Sequence, residues 1–289
     1  MKHKLINTPG IVYNFLTYPL NYIRYNTGTA RMFKGSVFEK FSVLLFLFSM
    51  QLKAKFQKDN NPIMVKIIGL NIWGFHYQTL LILFREVFIY GDYRFVPSKK
   101  NPVIIDCGAN IGMATLYFKK YSPEATIICF EANPKTFTIL EKNIHANNFE
   151  NSVKLLNLAL YNKETEISFY DNDTSGSLVA SIIKERGGKN EIKVKTVLLS
   201  KILEEFDEVE LIKIDTEGAE TFILEDLVTS GKLTIAKNYI IEFHLNSNNG
   251  ISSLGAFLLP FEKEGYKYNL RTNYETLGDN QDVLIHLYR

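Results

Sequence analysis

Carboxylates and a histidine gather at the ends of two apolar runs. The segment LIKIDTEGAE, residues 211–220, reads as a buried strand that runs into Asp215, turns through Gly218 and opens a helix at Glu220. Residues 239–243 read as a second buried strand, delivering Glu242 and His244 to the same edge. In open α/β sheets, ligands bind beyond the carboxyl ends of the strands. Acids and an imidazole converging there are costly to desolvate unless they meet cations or hydrogen-bond donors. A divalent metal or a polyhydroxyl compound would supply them. Asp215 and Glu242 make an oxygen-ligand pair suited to a hard cation such as Mg²⁺. His244 is the candidate general base, against the plain alternative of a structural histidine paired with Glu242 or another acid.

A second chemical signal lies in VIIDCGANIGMATLYFKKYSPEATIICFEANP, residues 103–134. It reads as strand, turn, helix and strand built around a cofactor. Val103, Ile104 and Ile105 suit a strand buried on both faces, and Met113, Leu116 and Tyr117 begin a helical pattern. Gly108 and Gly112 remove side chains where backbone must pass close to a ligand or a helix. The second strand ends at Glu131, about where a dinucleotide fold places an acid on a ribose hydroxyl. The G-x-G-x-x-G fingerprint of pyrophosphate binding is not met. Position 110 is Asn, and the turn opens with Asp106, which would repel an anion. S-adenosylmethionine (SAM), with a sulfonium and an ammonium and no phosphate, fits the turn better. Asp106 is expected to reach its ammonium directly or through water, and the backbone of Gly108, Ala109 and Asn110 to line its carboxylate. Glu131, flanked by Ala132 and Asn133, is expected to meet the ribose.

The remaining chain must position these groups. Residues 63–68 and 71–74 read as a hairpin about Gly69, and residues 78–88 as a helix with apolar Leu81, Phe84 and Phe88. A polar connector, residues 92–101, leads to the catalytic part. Asn133 followed by Pro134 is a helix start. Residues 153–158 suit a third strand, and 166–170 with 191–197 alternate as an exposed antiparallel pair. The intervening loop, rich in Ser, Asn, Asp and Gly, carries Ser175 and Ser177 as residues that could face a substrate.

At 289 residues, 46% apolar and 22% charged, the chain can bury a sizeable core and exceeds a minimal domain of this kind. Cys107 and Cys129 fall at or inside strands and read as buried thiols, which favours a reducing cytosol. Residues 1–60 hold nine bases and two acids, or +7, so the rest carries −5 of the +2 total. The −5 region would repel a phosphate backbone, and neither the Pro-Pro turn of amino-group DNA methylation nor a Pro-Cys nucleophile is present, so nucleic acid is not the expected substrate. Within the basic stretch, the apolar run 42–50 is far short of the ~20 residues of a spanning helix, and it starts too late for a signal peptide. It is expected to pack in the fold or against a second protomer; the alternative is an interfacial helix on anionic lipid.

With DCGANIG, FEANP, LIKIDTEGAE and IIEFH in this order, residues 63–289 resemble the FkbM family of SAM-dependent methyltransferases. The resemblance implies a class I, Rossmann-like α/β fold with a seven-stranded, mostly parallel sheet and an antiparallel last strand at residues 282–288. Here that fold is expected at 97–289, after an N-terminal elaboration of helices and a hairpin at 1–96. It implies O-methyl transfer to a hydroxyl of a sugar or glycan, in surface polysaccharides or natural products. Asp106, Gly108 and Gly112 match the family's first SAM motif, Glu131 its ribose acid, and Asp215 and Glu217 its signature turn. His244, Asp215 and Glu217 are therefore the expected catalytic set. Two alternatives stay open: a non-catalytic SAM-binding or scaffold subunit of a membrane-associated glycan-assembly complex, and a small non-sugar acceptor. The expected location is the cytoplasm, with peripheral contact at the inner membrane face through residues 1–60 and homodimerisation left open.

Overall fold

The computed structural model describes residues 19–59, 61–172, 180–246, 253–272 and 280–289. Ser175 and Ser177 lie outside the described residues. The chain divides into two compact units, Met1–Arg94 and Phe95–Arg289.

In the first unit, α1 (Pro19–Met32) packs with α2 (Val37–Phe56). Helix α2 begins at a capping box, in which the Ser36 hydroxyl accepts from the Glu39 N–H and the Glu39 carboxylate accepts from the Ser36 N–H. Strands β1 (Ile63–Ile67) and β2 (Leu70–Gly74) form the expected hairpin. Its two-residue turn, Ile68 and Gly69, has positive φ at both positions, the twist that matches paired strands. Helix α3 (Tyr77–Phe84) then widens into a π-helical turn, Arg85–Tyr90, and stops at left-handed Gly91. The last helical residue, Tyr90, lies two residues beyond the 78–88 expectation. Arg85, buried in the turn, donates to Asn26 at 3.2 Å and stacks over Tyr25, so the wide turn is held by a polar group that apolar spacing does not show.

The second unit is built on a seven-stranded sheet in the order β11-β12-β10-β9-β3-β4-β5. Its members are β3 (Val103–Cys107), β4 (Thr126–Phe130), β5 (Val153–Leu156), β9 (Val209–Ile214), β10 (Ala236–Asn246), β11 (Lys267–Thr272) and β12 (Asn280–Tyr288). Strands β5, β4, β3, β9 and β10 are mutually parallel, and β12 is antiparallel to both its neighbours. The class I Rossmann-like fold is therefore present, with its antiparallel last strand. Strand β9 is buried at every position, because its sheet neighbours close both edges and Ile212 and Ile214 pack into the core with Ile223 and Leu227 of the following helix. Helices α4 (Met113–Tyr121), α5 (Pro134–Ala146), α8 (Glu220–Thr229) and α9 (Leu254–Lys263) connect these strands. The core includes Ile105, Ile212, Ile223, Tyr239 and Phe261.

A smaller sheet, β6-β8-β7, comprises β6 (Ala159–Leu160), β7 (Glu166–Asp171) and β8 (Asn190–Val197). The strand expected over 153–158 stops at Leu156, and β6 begins only beyond it. Between β5 and β6, the Asn157 amide turns back to donate to the Glu131 and Ala132 carbonyls, so the chain leaves one sheet and enters another. The loop between β7 and β8 contains a short helical turn, α6 (Lys184–Gly187), and Ser181 pairs with Tyr170. A further short helix, α7 (Leu199–Leu203), precedes β9.

Candidate active site

Strand β3 pairs with β4 on one side and β9 on the other, so the connections diverge at the carboxyl ends of β3 and β9. A crevice opens at such a reversal of strand order. The chain leaves β3 through a turn with positive φ at Gly108, Asn110 and Gly112. A Cβ on Gly108 would collide with the Asp215 carbonyl, and one on Gly112 would meet Leu140 at 2.6 Å. Glycine is therefore required twice: once against the next strand, once against α5. The buried Asn143 amide of α5 donates to the Ile111 carbonyl at 2.7 Å and braces the turn from behind.

Glu131 joins the two halves of the expected cofactor site. One carboxylate oxygen accepts from the Asn110 N–H and the other from the Asn133 N–H, both at 2.8 Å. Gly108 and Ala109 N–H groups donate to the neighbouring Phe130 carbonyl. Burial pushes the Glu131 carboxyl up to about 7, against the two N–H groups and Lys213, which pull it down. Each oxygen keeps a second lone pair, so the group can still accept from a vicinal diol such as a ribose. Asn133 caps α5 by accepting from the Lys135 and Thr136 N–H groups, and its amide donates to Asp171 at 3.2 Å. Ala132 is half-buried between them.

Asp106 occupies a different setting from a residue facing a ligand's ammonium. It is fully buried, accepting from the Thr115 hydroxyl at 2.7 Å and lying 3.1 Å from Lys213 Nζ. Lys213 donates to the Gly108 carbonyl at 2.6 Å and lies 3.8 Å from Asp215. Burial opposes its charge, but Asp106 and Asp215 outweigh that and hold the ammonium above the usual lysine value. One lysine thus ties the glycine turn to the second signature turn. Sequence reasoning missed it, although a lone lysine inside an apolar run was a visible signal.

The second turn leaves β9 at Asp215, whose N–H donates to the Cys107 carbonyl at 3.0 Å. Glu217 and Gly218 have positive φ, and the Ser181 hydroxyl donates to the Glu217 carbonyl, fastening the β7–β8 loop to the turn. His244 lies at the centre. Its Nε2 is 3.3 Å from Glu217, 3.8 Å from Glu242, 3.9 Å from Asp215 and 4.0 Å from Asp282. Its Nδ1 lies 3.0 Å from the Glu220 carboxylate, which also accepts from the Thr216 and Gly218 N–H groups. Burial raises the Glu220 pKa, but His244 and the Gly218 and Glu220 N–H groups outweigh it and leave the carboxyl below its usual value. An ionised Glu220 holds a proton on Nδ1, and Nε2 faces the other four acids. Glu220 and Asp282 escaped sequence reasoning as members of the site. Asp282 arrives because antiparallel pairing sets it directly opposite His244.

Asp215, Glu217 and His244 bring one potential metal-ligand atom each to within 4.8 Å of one another, and so do Glu242, His244 and Asp282. The expected pair, Asp215 and Glu242, thus falls in two trios that share His244. A mixed nitrogen and oxygen donor set suits Mn²⁺ or Zn²⁺ better than Mg²⁺, which prefers oxygen alone.

Strand order, the antiparallel last strand and a carboxyl-edge site beside a glycine turn together define the class I methyltransferase type. The methyltransferase FkbM domain matches residues 106–268, more than half of the chain, and the protein belongs to that family. Methyltransferase sdnD of Sordaria araneosa is 24% identical over 213 residues, 63% of this chain and 82% of that protein. Methyltransferase 1 of Beauveria bassiana (strain ARSEF 2860) is 30% identical over 162 residues, 50% of this chain and 65% of that one. The 2-O-methyltransferase NoeI of Sinorhizobium fredii (strain NBRC 101917 / NGR234) is 26% identical over 160 residues, 50% of this chain and 63% of that one. The chain therefore spans just under two thirds of the last two relatives. The crystal structure of methyltransferase FkbM from Methylobacillus flagellatus KT aligns with a TM-score of 0.47 at 10% identity, over 95% of this chain and 61% of that one.

Proposed function

We propose that this methyltransferase uses SAM to methylate a hydroxyl group of a sugar or glycan. The observation that carries the reading is the wiring of His244, with Glu220 on Nδ1 and four carboxylates around Nε2. A polyol presents several O–H donors, and carboxylate oxygens are the acceptors suited to them. The relative NoeI bears the name of a 2-O-methyltransferase, which agrees with an oxygen acceptor. SAM fits the turn between β3 and α4, where Glu131 offers a diol acceptor beside the Asn110 backbone.

A sugar hydroxyl is a weak nucleophile at neutral pH and must lose its proton as the new bond forms. In this reading, His244 Nε2 takes that proton while the acceptor oxygen attacks the methyl carbon. The carbon–sulfur bond breaks with its electron pair left on sulfur, giving the methyl ether and S-adenosylhomocysteine. Glu220 holds the receiving tautomer, and Asp215, Glu217, Glu242 and Asp282 stabilise the imidazolium that forms. The chain otherwise aligns oxygen, carbon and sulfur.

The donor set also favours a second use of Nε2. Asp215, Glu217 and His244, or Glu242, His244 and Asp282, would hold a divalent cation, which would lower the pKa of a hydroxyl bound to it. The two uses exclude each other, because one lone pair serves either a proton or a cation. Incubating the protein with SAM and isolated surface glycan, and measuring S-adenosylhomocysteine and methylated sugar, tests the main reading. SAM binding without any product from glycans would overturn it in favour of the non-catalytic or non-sugar alternatives.

A further inference from the structure

Helix α2 carries two apolar stripes and buries only one. Val43, Phe46, Leu47 and Met50 are buried within the first unit. Val37, Phe38, Phe41, Leu45, Leu52 and Phe56 are exposed, Phe38 at 85% and Val37 at 82%. At about 100° per residue, the exposed six fall within one sector of roughly 100°, opposite the buried four. They form a continuous ridge along almost the whole helix. Single exposed apolar side chains are ordinary, but a ridge of six is a contact surface.

The charge around it names the occupant. Residues 31–58 hold six bases, Arg31, Lys34, Lys40, Lys53, Lys55 and Lys58, and one acid, Glu39. That acid is engaged in the capping box at the helix start. We propose that this face of α2 docks on an anionic lipid surface, its aromatic and aliphatic ridge entering the headgroup boundary and the cations meeting lipid phosphates and carboxylates. A symmetric contact between two copies would set the basic flank of one against that of the other, whereas an anionic surface is complementary to it. No helix among the described residues is long and apolar enough to cross a membrane, so the helix would lie on the surface. The sequence expectation that this segment packs in the fold holds for the buried stripe alone.

Flotation of the full chain with phosphatidylcholine vesicles containing phosphatidylserine tests the proposal, with pure phosphatidylcholine vesicles alongside. The protein is expected to float with the anionic vesicles at low salt, and much less with neutral vesicles or at high salt. The double variant Phe38→Ser, Phe41→Ser should lower the bound fraction by at least about tenfold, because two exposed aromatic anchors are lost. Its circular dichroism and Tm should match the wild type, since neither side chain is buried. Lys34→Glu with Lys55→Glu should remove the salt-sensitive part. Failure of the wild type to float, or unchanged flotation of the Phe38/Phe41 variant, would overturn the proposal. So would a dimer in sedimentation that the same variant dissociates, because the face would then belong to a second copy.

Discussion

Lys213 on β9 and Asp106 on β3 are cross-strand neighbours, and their side chains form a 3.1 Å ion pair with almost no exposure. The pair sits at the strand reversal, and Lys213 also holds the Gly108 carbonyl. Removing one member of a buried pair leaves the other charge stranded, at a cost of about 3–5 kcal/mol. Lys213→Met is therefore expected to lose stability on that scale in urea denaturation at neutral pH. The Lys213→Met, Asp106→Asn double variant should lose less than the sum of the singles. A single-variant loss below about 1 kcal/mol would show that the pair contributes little.

Glu131 is expected to govern cofactor affinity. A charge-assisted hydrogen bond contributes about 1.5–3 kcal/mol, so Glu131→Ala should weaken SAM by about tenfold or more in calorimetry. Burial lifts this carboxyl from 4.5 to about 7, so the folded state holds a proton that the unfolded state has released between those values. Its contribution to stability is present below about 4.5 and is lost as pH rises through about 7. Glu131→Gln should lack that slope, and wild-type SAM affinity should increase as the carboxylate ionises. Equal affinity in wild type and Glu131→Ala would remove the ribose role.

Asp215, Glu217 and His244 are expected to act on the acceptor. Single alanine variants should keep SAM affinity near wild type while the methyl-transfer rate falls by ~10²-fold or more. Parallel losses of affinity and rate would mean that these residues shape the cofactor pocket instead. With His244 as the base, EDTA should leave the rate unchanged. A rate abolished by EDTA and restored by Mn²⁺ would assign Nε2 to a cation.

Glu220 is a positioning residue that acts through His244 Nδ1. Glu220→Gln should lower the rate by ~10²-fold or more with little change in SAM affinity, because a neutral amide no longer fixes the tautomer. Its folded pKa is depressed, so the stabilisation it provides is present above its ordinary value and is lost as pH falls through the lower folded value. Acid denaturation of the wild type should therefore begin at lower pH than it would without the His244 contact. Glu220→Asp, which keeps the charge, should recover part of the rate. A variant with wild-type rate and pH profile would show the contact to be structural only.

Local signals in the chain determined much of this protein by themselves. The glycines of the first turn had to be glycines because φ is positive at each and a Cβ would strike Asp215 or Leu140. Asn133 and Pro134 started α5 where capping chemistry places a start, and the apolar runs marked β3, β4, β9 and β10. Positive φ, a helix cap and an apolar run are local features that one-dimensional spacing carries, whereas the clashes with Asp215 and Leu140 come from the fold. The composition of the second site was decided by tertiary structure. Asp282 reaches His244 only through the register of an antiparallel pair, Ser181 reaches Glu217 across a loop, and Lys213 meets Asp106 because β9 lies beside β3. The two-faced α2 shows the same division. Its helical period was written in its residues, but both stripes are apolar, and only packing within the first unit selected which one is buried. Side-chain chemistry fixes what each residue can do, whereas the partners that satisfy a buried charge are chosen by sheet order and register.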